Sequence, residues 1–149
     1  VRLKTSTGED AGEAIFRPGT EGSEVILTLE LKNLPPGEHG VHLHQNPVCE
    51  APAFTTAGGH FNPDKKQHGI LSPMGHHNGD LPGNITIGAD HSGEASWQVK
   101  GVSLTAGDPD SILGTAIMVH EKPDDFKTDP TGNAGARIAC GVVAAPPTP

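Results

Sequence analysis

Aromatic side chains are scarce in this sequence: 3% of 149 residues, with one Trp and no Tyr. A core built from Val, Leu and Ile is the expectation. Cationic residues are also few. Lys and Arg number 10 and are scattered, against 18 Asp and Glu, for a net charge of −8. That excludes the basic footprint of a nucleic-acid binder. It also means that an anionic ligand would need a local positive site to overcome the general field. No run of about 18 apolar residues exists, so no helical membrane span is expected. The sequence begins at Val1 without a charged and apolar leader, which predicts a processed mature form.

Cysteine is limited to Cys49 and Cys140. A pair in a small domain suggests one disulfide formed in an oxidising compartment, extracellular, periplasmic or in the cell envelope; two buried free thiols are the alternative. A bridge would close a loop worth about 4–5 kcal/mol in the chain-entropy model.

Glycine (20) and proline (14) are abundant. Residues of this kind interrupt helices, so a helical bundle is disfavoured, and without a strict glycine repeat so is a collagen helix. The apolar residues fall instead into short alternating runs. In Glu24–Lys32, Val25, Leu27, Leu29 and Leu31 share one face while Thr28, Glu30 and Lys32 share the other. Comparable runs occur at Val1–Thr5, Glu13–Arg17, Gly40–His44, Asn84–Gly88, Ala95–Lys100, Leu113–His120 and Arg137–Val143. Eight strands separated by turn signals predict an all-β sandwich or barrel. No repeat or linker divides the chain, so a single domain over 1–149 is expected, with 144–149 (Ala-Ala-Pro-Pro-Thr-Pro) as an extended tail. Two stretches lack strand character, Gln45–Pro82 and Glu121–Gly135. A long structureless loop in a compact domain points to function or to another means of fastening it.

Nine histidines are the unusual feature. In His42-Leu43-His44, alternation along a strand sends both imidazoles to one face and Val41 and Leu43 to the other. His120 ends the run Leu113–His120, opposite in facing to the apolar Ile117 and Val119. These three rings are thus expected outside the barrel, where the long loop could cover them. That loop carries His60 after two glycines, His68, and His77 three residues before Asp80. Imidazoles and a carboxylate in such numbers suit zinc and copper better than a chance scatter of surface histidine. His76 is a less favoured ligand than its neighbour His77, while His39 and His91 fall in turns and read as surface residues. Asn84-Ile85-Thr86 matches a glycosylation acceptor but lies in a predicted strand.

The motifs His42-x-His44, Gly59-His60-Phe61-Asn62-Pro63, His68-Gly69, His77-x-Gly79-Asp80, Val119-His120-Glu121-Lys122 and Gly132-Asn133-Ala134-Gly135-Ala136-Arg137-Ile138-Ala139-Cys140-Gly141 closely resemble those of the copper/zinc superoxide dismutases. The resemblance runs from about Val1 to Val143 and is nearest to bacterial members. It implies an eight-stranded antiparallel Greek-key barrel with a long metal-binding loop and a shorter electrostatic loop. It implies copper ligands at His42, His44, His60 and His120, and zinc ligands at His60, His68, His77 and Asp80, with His60 bridging. Asp124 would orient His42 and His68, Cys49 and Cys140 would form the intrachain disulfide, and Arg137 would receive the anion beside copper. Lys65, Lys66 and Lys127 are weaker candidates for attracting it. The implied activity is dismutation of superoxide to dioxygen and hydrogen peroxide by a Cu(II)/Cu(I) cycle, with His60 also handling protons, in antioxidant defence. A non-enzymatic zinc-binding or copper-buffering relative is the alternative, as is a copper-chaperone type of domain, which would bring extra cysteines. Bacterial members often carry an aromatic dimer contact soon after Asp-Leu-Pro; Gly83-Asn84-Ile85 stands here, leaving monomer or homodimer open.

Overall fold

The computed structural model describes residues 2–5, 7–18, 24–46, 48–50, 54, 57–61, 79, 81, 83–100, 102, 104, 111–124 and 135–143. The tail expected at 144–149 lies outside them. The described residues form nine strands: β1 (Arg2–Thr5), β2 (Asp10–Pro18), β3 (Glu24–Leu31), β4 (Gly37–His39), β5 (Val41–His44), β6 (Ile85–Ile87), β7 (Gly93–Lys100), β8 (Thr115–His120) and β9 (Arg137–Val143). Seven build one curled sheet in the order β5-β8-β9-β1-β2-β3-β7, and β4 pairs with β6. Every pairing is antiparallel. Neighbours distant in sequence, β3 with β7 and β5 with β8, give the crossing connections of a Greek key.

The expected strand Gly40–His44 is observed as β5, one residue shorter, and a further short strand not expected from the pattern, β4, precedes it. Gly40 separates β4 from β5. Its N–H donates to the Lys122 carbonyl and its carbonyl accepts from the His120 N–H, both at 2.8 Å. The chain therefore leaves β6 at β4 and joins β8 at β5 within one residue. The turn from β6 into β7 is closed by the Gly88 N–H donating to the Ser92 carbonyl at 2.9 Å. The two edges of the large sheet are thus connected around the back by β6 and β4, which produces the expected barrel from nine segments. Leu113, placed in a strand by its pattern, instead precedes β8, in a turn where Gly114 has φ 87°.

Alternation on β3 is reproduced in full. Val25, Leu27, Leu29 and Leu31 are buried, and they join Leu3, Val41, Leu43, Ile85, Ile117 and Val119 in the barrel interior. A second, smaller apolar cluster consists of Phe54, Ala57, Ala116, Met118 and Cys140, with Cys49 against it. Ala116 and Met118 alternate with Ile117 and Val119 along β8, so this cluster lies on the outer face of the barrel wall. Sequence alternation had marked that face for histidines. It also holds the pad on which Cys49, Phe54 and Ala57 of the long loop sit.

Replacing fully buried Leu27 by Ala removes apolar contact from the middle of the interior. The expected loss is about 2–5 kcal/mol of unfolding free energy, measured by urea denaturation with an unchanged m-value.

Candidate metal centre

Strand β5 lies at an edge of the large sheet, and the long loop returns along it. The Gln45 N–H donates to the Gly59 carbonyl at 2.9 Å, the Asn46 N–H to Ala57 at 3.0 Å, and the Phe61 N–H to Leu43 at 2.7 Å. His60 is thereby bridged to His44. On the other side of β5, His42 pairs with Met118 and His44 with Ala116 in β8, which sets His120 further along the same outer face. Four histidines from two strands and one loop thus meet.

His42, His44, His60 and His120 are all buried, and one ring nitrogen from each lies within 4.8 Å of the others. The rings of His42 and His60 stack at 4.0 Å between centroids, and His42 meets His120 edge-on at 4.8 Å. Burial pushes the pKa of His44 far down, with His60 adding to the shift; it does the same to His120, where His42 adds. Both rings are therefore neutral, with one N–H and one lone pair each.

The hydrogen bonds decide which nitrogen carries which. His44 Nδ1 lies 2.8 Å from the Gly58 carbonyl and His120 Nδ1 3.2 Å from the Gly135 carbonyl. A carbonyl only accepts, so Nδ1 holds the hydrogen in each ring and Nε2 the lone pair. The two Nε2 atoms face each other at 3.3 Å. Two lone pairs cannot hydrogen-bond, but both can ligate one cation. His42 has the opposite arrangement: its Nε2–H donates to Asp124 Oδ2 at 2.7 Å, which in the neutral ring leaves Nδ1 for the cluster. A carboxylate or carbonyl behind each ring is the support usual for metal-bound imidazole. An all-imidazole donor set suits copper. The described residues therefore fit the group that the sequence implies.

Arg137 opens β9 opposite His120, at a register shift between Val119 and His120. Its Nη1 donates to the Phe54 carbonyl at 2.7 Å and its Nη2 to the Gly58 carbonyl at 2.6 Å. Among the described residues no carboxylate pairs with it, so the positive charge is held in place without being cancelled. Partial burial lowers its pKa from the ordinary value, but a guanidinium remains charged at physiological pH. The Gly58 oxygen thus serves both His44 and Arg137. Gly58 has φ 75°, and a Cβ there would lie 2.7 Å from the Gln45 side chain, so any other residue would be strained and would displace Gln45.

Cys49 and Cys140 form a disulfide with Cα atoms 5.7 Å apart, which ties the loop to β9 three residues beyond Arg137.

The family model for "Copper/zinc superoxide dismutase (SODC)" matches residues 10–143. The chain belongs to the copper/zinc superoxide dismutase family. It is 46% identical over 142 residues to a Cu-Zn superoxide dismutase of Aquifex aeolicus, covering 91% of this chain and 81% of the relative. A double mutant of a SOD-like protein from Bacillus subtilis superposes with a TM-score of 0.91 at 38% identity, over 97% of this chain and 95% of that one. The Cu/Zn superoxide dismutase from Brucella abortus gives 0.78 at 29% identity, over 96% and 97%.

Of the residues expected from the resemblance to this superoxide dismutase family, the structure brings together His42, His44, His60, His120, Asp124 and Arg137, and joins Cys49 to Cys140. His68, His77 and Asp80 lie outside the described residues, as do His76, Lys65, Lys66 and Lys127. Gly79 is described. Its carbonyl accepts from the Leu43 N–H at 2.9 Å, and its N–H donates to the Phe61 carbonyl at 2.7 Å. A Cβ on Gly79 would overlap the Leu43 oxygen, so this close approach requires glycine.

His39 corrects its reading as a turn residue. It is a buried member of β4, with Nδ1 2.8 Å from the His120 carbonyl and Nε2 2.7 Å from the Pro35 carbonyl. His91 does lie in a turn and is exposed. Phe54 escaped sequence reasoning altogether. It is 2% exposed at φ 57°, a conformation that a bulky side chain rarely adopts, and it offers its carbonyl to Arg137. Nothing in its sequence context signals this.

The neutral histidines make stability depend on pH. The folded pKa values of His44 and His120 lie below the unfolded value of about 6.5, so the unfolded chain binds protons there that the fold refuses. Their contribution is complete above about pH 6.5 and falls as pH drops, by about 1.4 kcal/mol per pH unit for each ring. Urea midpoints of metal-free protein are expected to fall between pH 6.5 and 5, and His44→Asn to reduce the slope.

Proposed function

We propose that this protein dismutates superoxide, using copper held by His42, His44, His60 and His120 and zinc held by His60, His68, His77 and Asp80. The observation that carries the reading is the cluster of four buried histidines, with the lone pairs of His44 and His120 converging, beside a guanidinium that no carboxylate among the described residues pairs with, in a chain of this family. When bound, copper supplies the one-electron chemistry, cycling between Cu(II) and Cu(I), that turns two superoxide anions and two protons into dioxygen and hydrogen peroxide. The protein does the rest. Arg137 offers a fixed positive charge and fork-shaped donors to a small anion, against a molecular charge of −8. Asp124 holds the His42 ring, while the Gly58 and Gly135 carbonyls hold His44 and His120, so the ligands need little reorganisation. His60 is assigned to both metals, and a ring nitrogen of His60 is the group assigned to carry a proton. The attachment of Gly79 to β5 supports a zinc site beside the copper ligands, because Gly79 immediately precedes Asp80.

We infer that residues 1–149 work as one domain, as a monomer or homodimer. The disulfide supports an oxidising setting, extracellular or periplasmic. No helix among the described residues is long and apolar enough to cross a membrane.

Protein reconstituted with both metals is expected to bind one copper and one zinc per chain and to dismutate superoxide rapidly. Zinc binding with no activity after copper addition would instead favour the non-enzymatic relative. His120→Ala is expected to abolish copper-dependent activity while zinc stays bound, as read by metal analysis. Arg137→Ala is expected to slow turnover by about tenfold or more and to flatten its dependence on ionic strength, with both metals retained.

A further inference from the structure

Asn84 lies between the long loop and β6, and no role has been attached to it beyond a glycosylation pattern. Its side chain is committed elsewhere. The Asp124 N–H donates to Asn84 Oδ1 at 2.8 Å, and Asn84 Nδ2 donates to the Asp124 carbonyl at 3.1 Å. A side-chain amide has the donor and acceptor of a peptide group, so it can grip both backbone groups of one residue at once. The pairing also fixes the amide orientation, since the flipped form would set donor against donor and acceptor against acceptor. Neither Ala nor Ser can make both bonds, and a carboxylate would face the Asp124 carbonyl with like charge.

The gripped residue is the one that matters to the site. Asp124 is 5% exposed and belongs to no strand, so the barrel ladder does not hold it. Its carboxylate nevertheless holds the Nε2–H of fully buried His42 at 2.7 Å. A carboxylate that aims a ring must itself be fixed, and the Asn84 amide fixes it from 40 residues away in the chain. We propose that Asn84 is a positioning residue for copper: by clamping both backbone groups of Asp124 it sets the carboxylate that orients His42. The inference rests on the assignment of His42 as a copper ligand.

The test compares Asn84→Ala in two backgrounds. Asp124→Ala removes the carboxylate but leaves the backbone that Asn84 grips, so a purely structural role of Asn84 survives in it and a role through the carboxylate does not. Copper(II) affinity is measured by chelator competition, and thermal stability is measured on the metal-free proteins. With Asp124 present, Asn84→Ala is expected to weaken copper binding by about tenfold. In the Asp124→Ala background it is expected to change affinity by less than about twofold, while lowering the melting temperature equally in both. An equal loss of affinity in both backgrounds, or no loss in either, would overturn the role. If Asn84→Ala does not fold, Asn84→Asp, which keeps the acceptor and loses the donor, is compared in the same two backgrounds with the same criteria. Failure of the parent protein to bind copper would instead overturn the metal assignment itself.

Discussion

Four imidazoles are packed together in one buried cluster, and the groups around them decide how each is turned. Burial keeps His44 and His120 neutral, so each of these two rings presents one donor and one acceptor. Which nitrogen does which depends on the group behind it. Gly58 and Gly135 supply carbonyls to His44 and His120, and Asp124 supplies a carboxylate to His42. With the donors drawn outward, the lone pairs of His44 and His120 are left facing each other at 3.3 Å. Such a contact is unfavourable alone and favourable around a cation. The metal preference is therefore written into the hydrogen bonds of the supporting groups as much as into the ligands.

None of those supporting groups sits within a β-strand, so the barrel alone cannot place them. They depend on how the loops are fastened. On one side the fastening is apolar and covalent: Phe54, Ala57, Ala116, Met118 and Cys140 form a pad on the outer wall, and the Cys49–Cys140 bridge closes over it. The same segment presents the Phe54 and Gly58 carbonyls to Arg137. The loop thus completes the cluster of four histidines and anchors the Arg137 guanidinium in one piece. On the other side the fastening is polar, with Asn84 gripping Asp124. The barrel provides a rigid wall, and Gly58, Gly135 and Asp124 reach the clustered histidines from outside its strands.

Much of this was legible in the chain. Alternation found eight strands near their observed positions, because a wall with one face in the core imposes period two on its residues. It missed a ninth strand, β4, before Gly40, since three residues leave no trace in hydrophobicity. It put His39 at the surface because the three-residue β4 is too short to show a pattern. The histidines that cluster were visible by residue type, spacing and family resemblance. Phe54 and Asn84 were not, for what they contribute is a carbonyl in an unusual backbone conformation and an amide read by another residue's backbone.

The sequence by itself determined the barrel class, the core face of the long strands, and which histidines to look for as a cluster, because side-chain chemistry and periodicity are local properties. Only the tertiary structure decided which nitrogen of His42, His44 and His120 is offered to a metal and what holds Arg137 in place. Those outcomes depend on carbonyls and amides brought close by the fold across 14 to 83 residues of chain, and backbone groups are the same at every position of a sequence until folding gives each a neighbour.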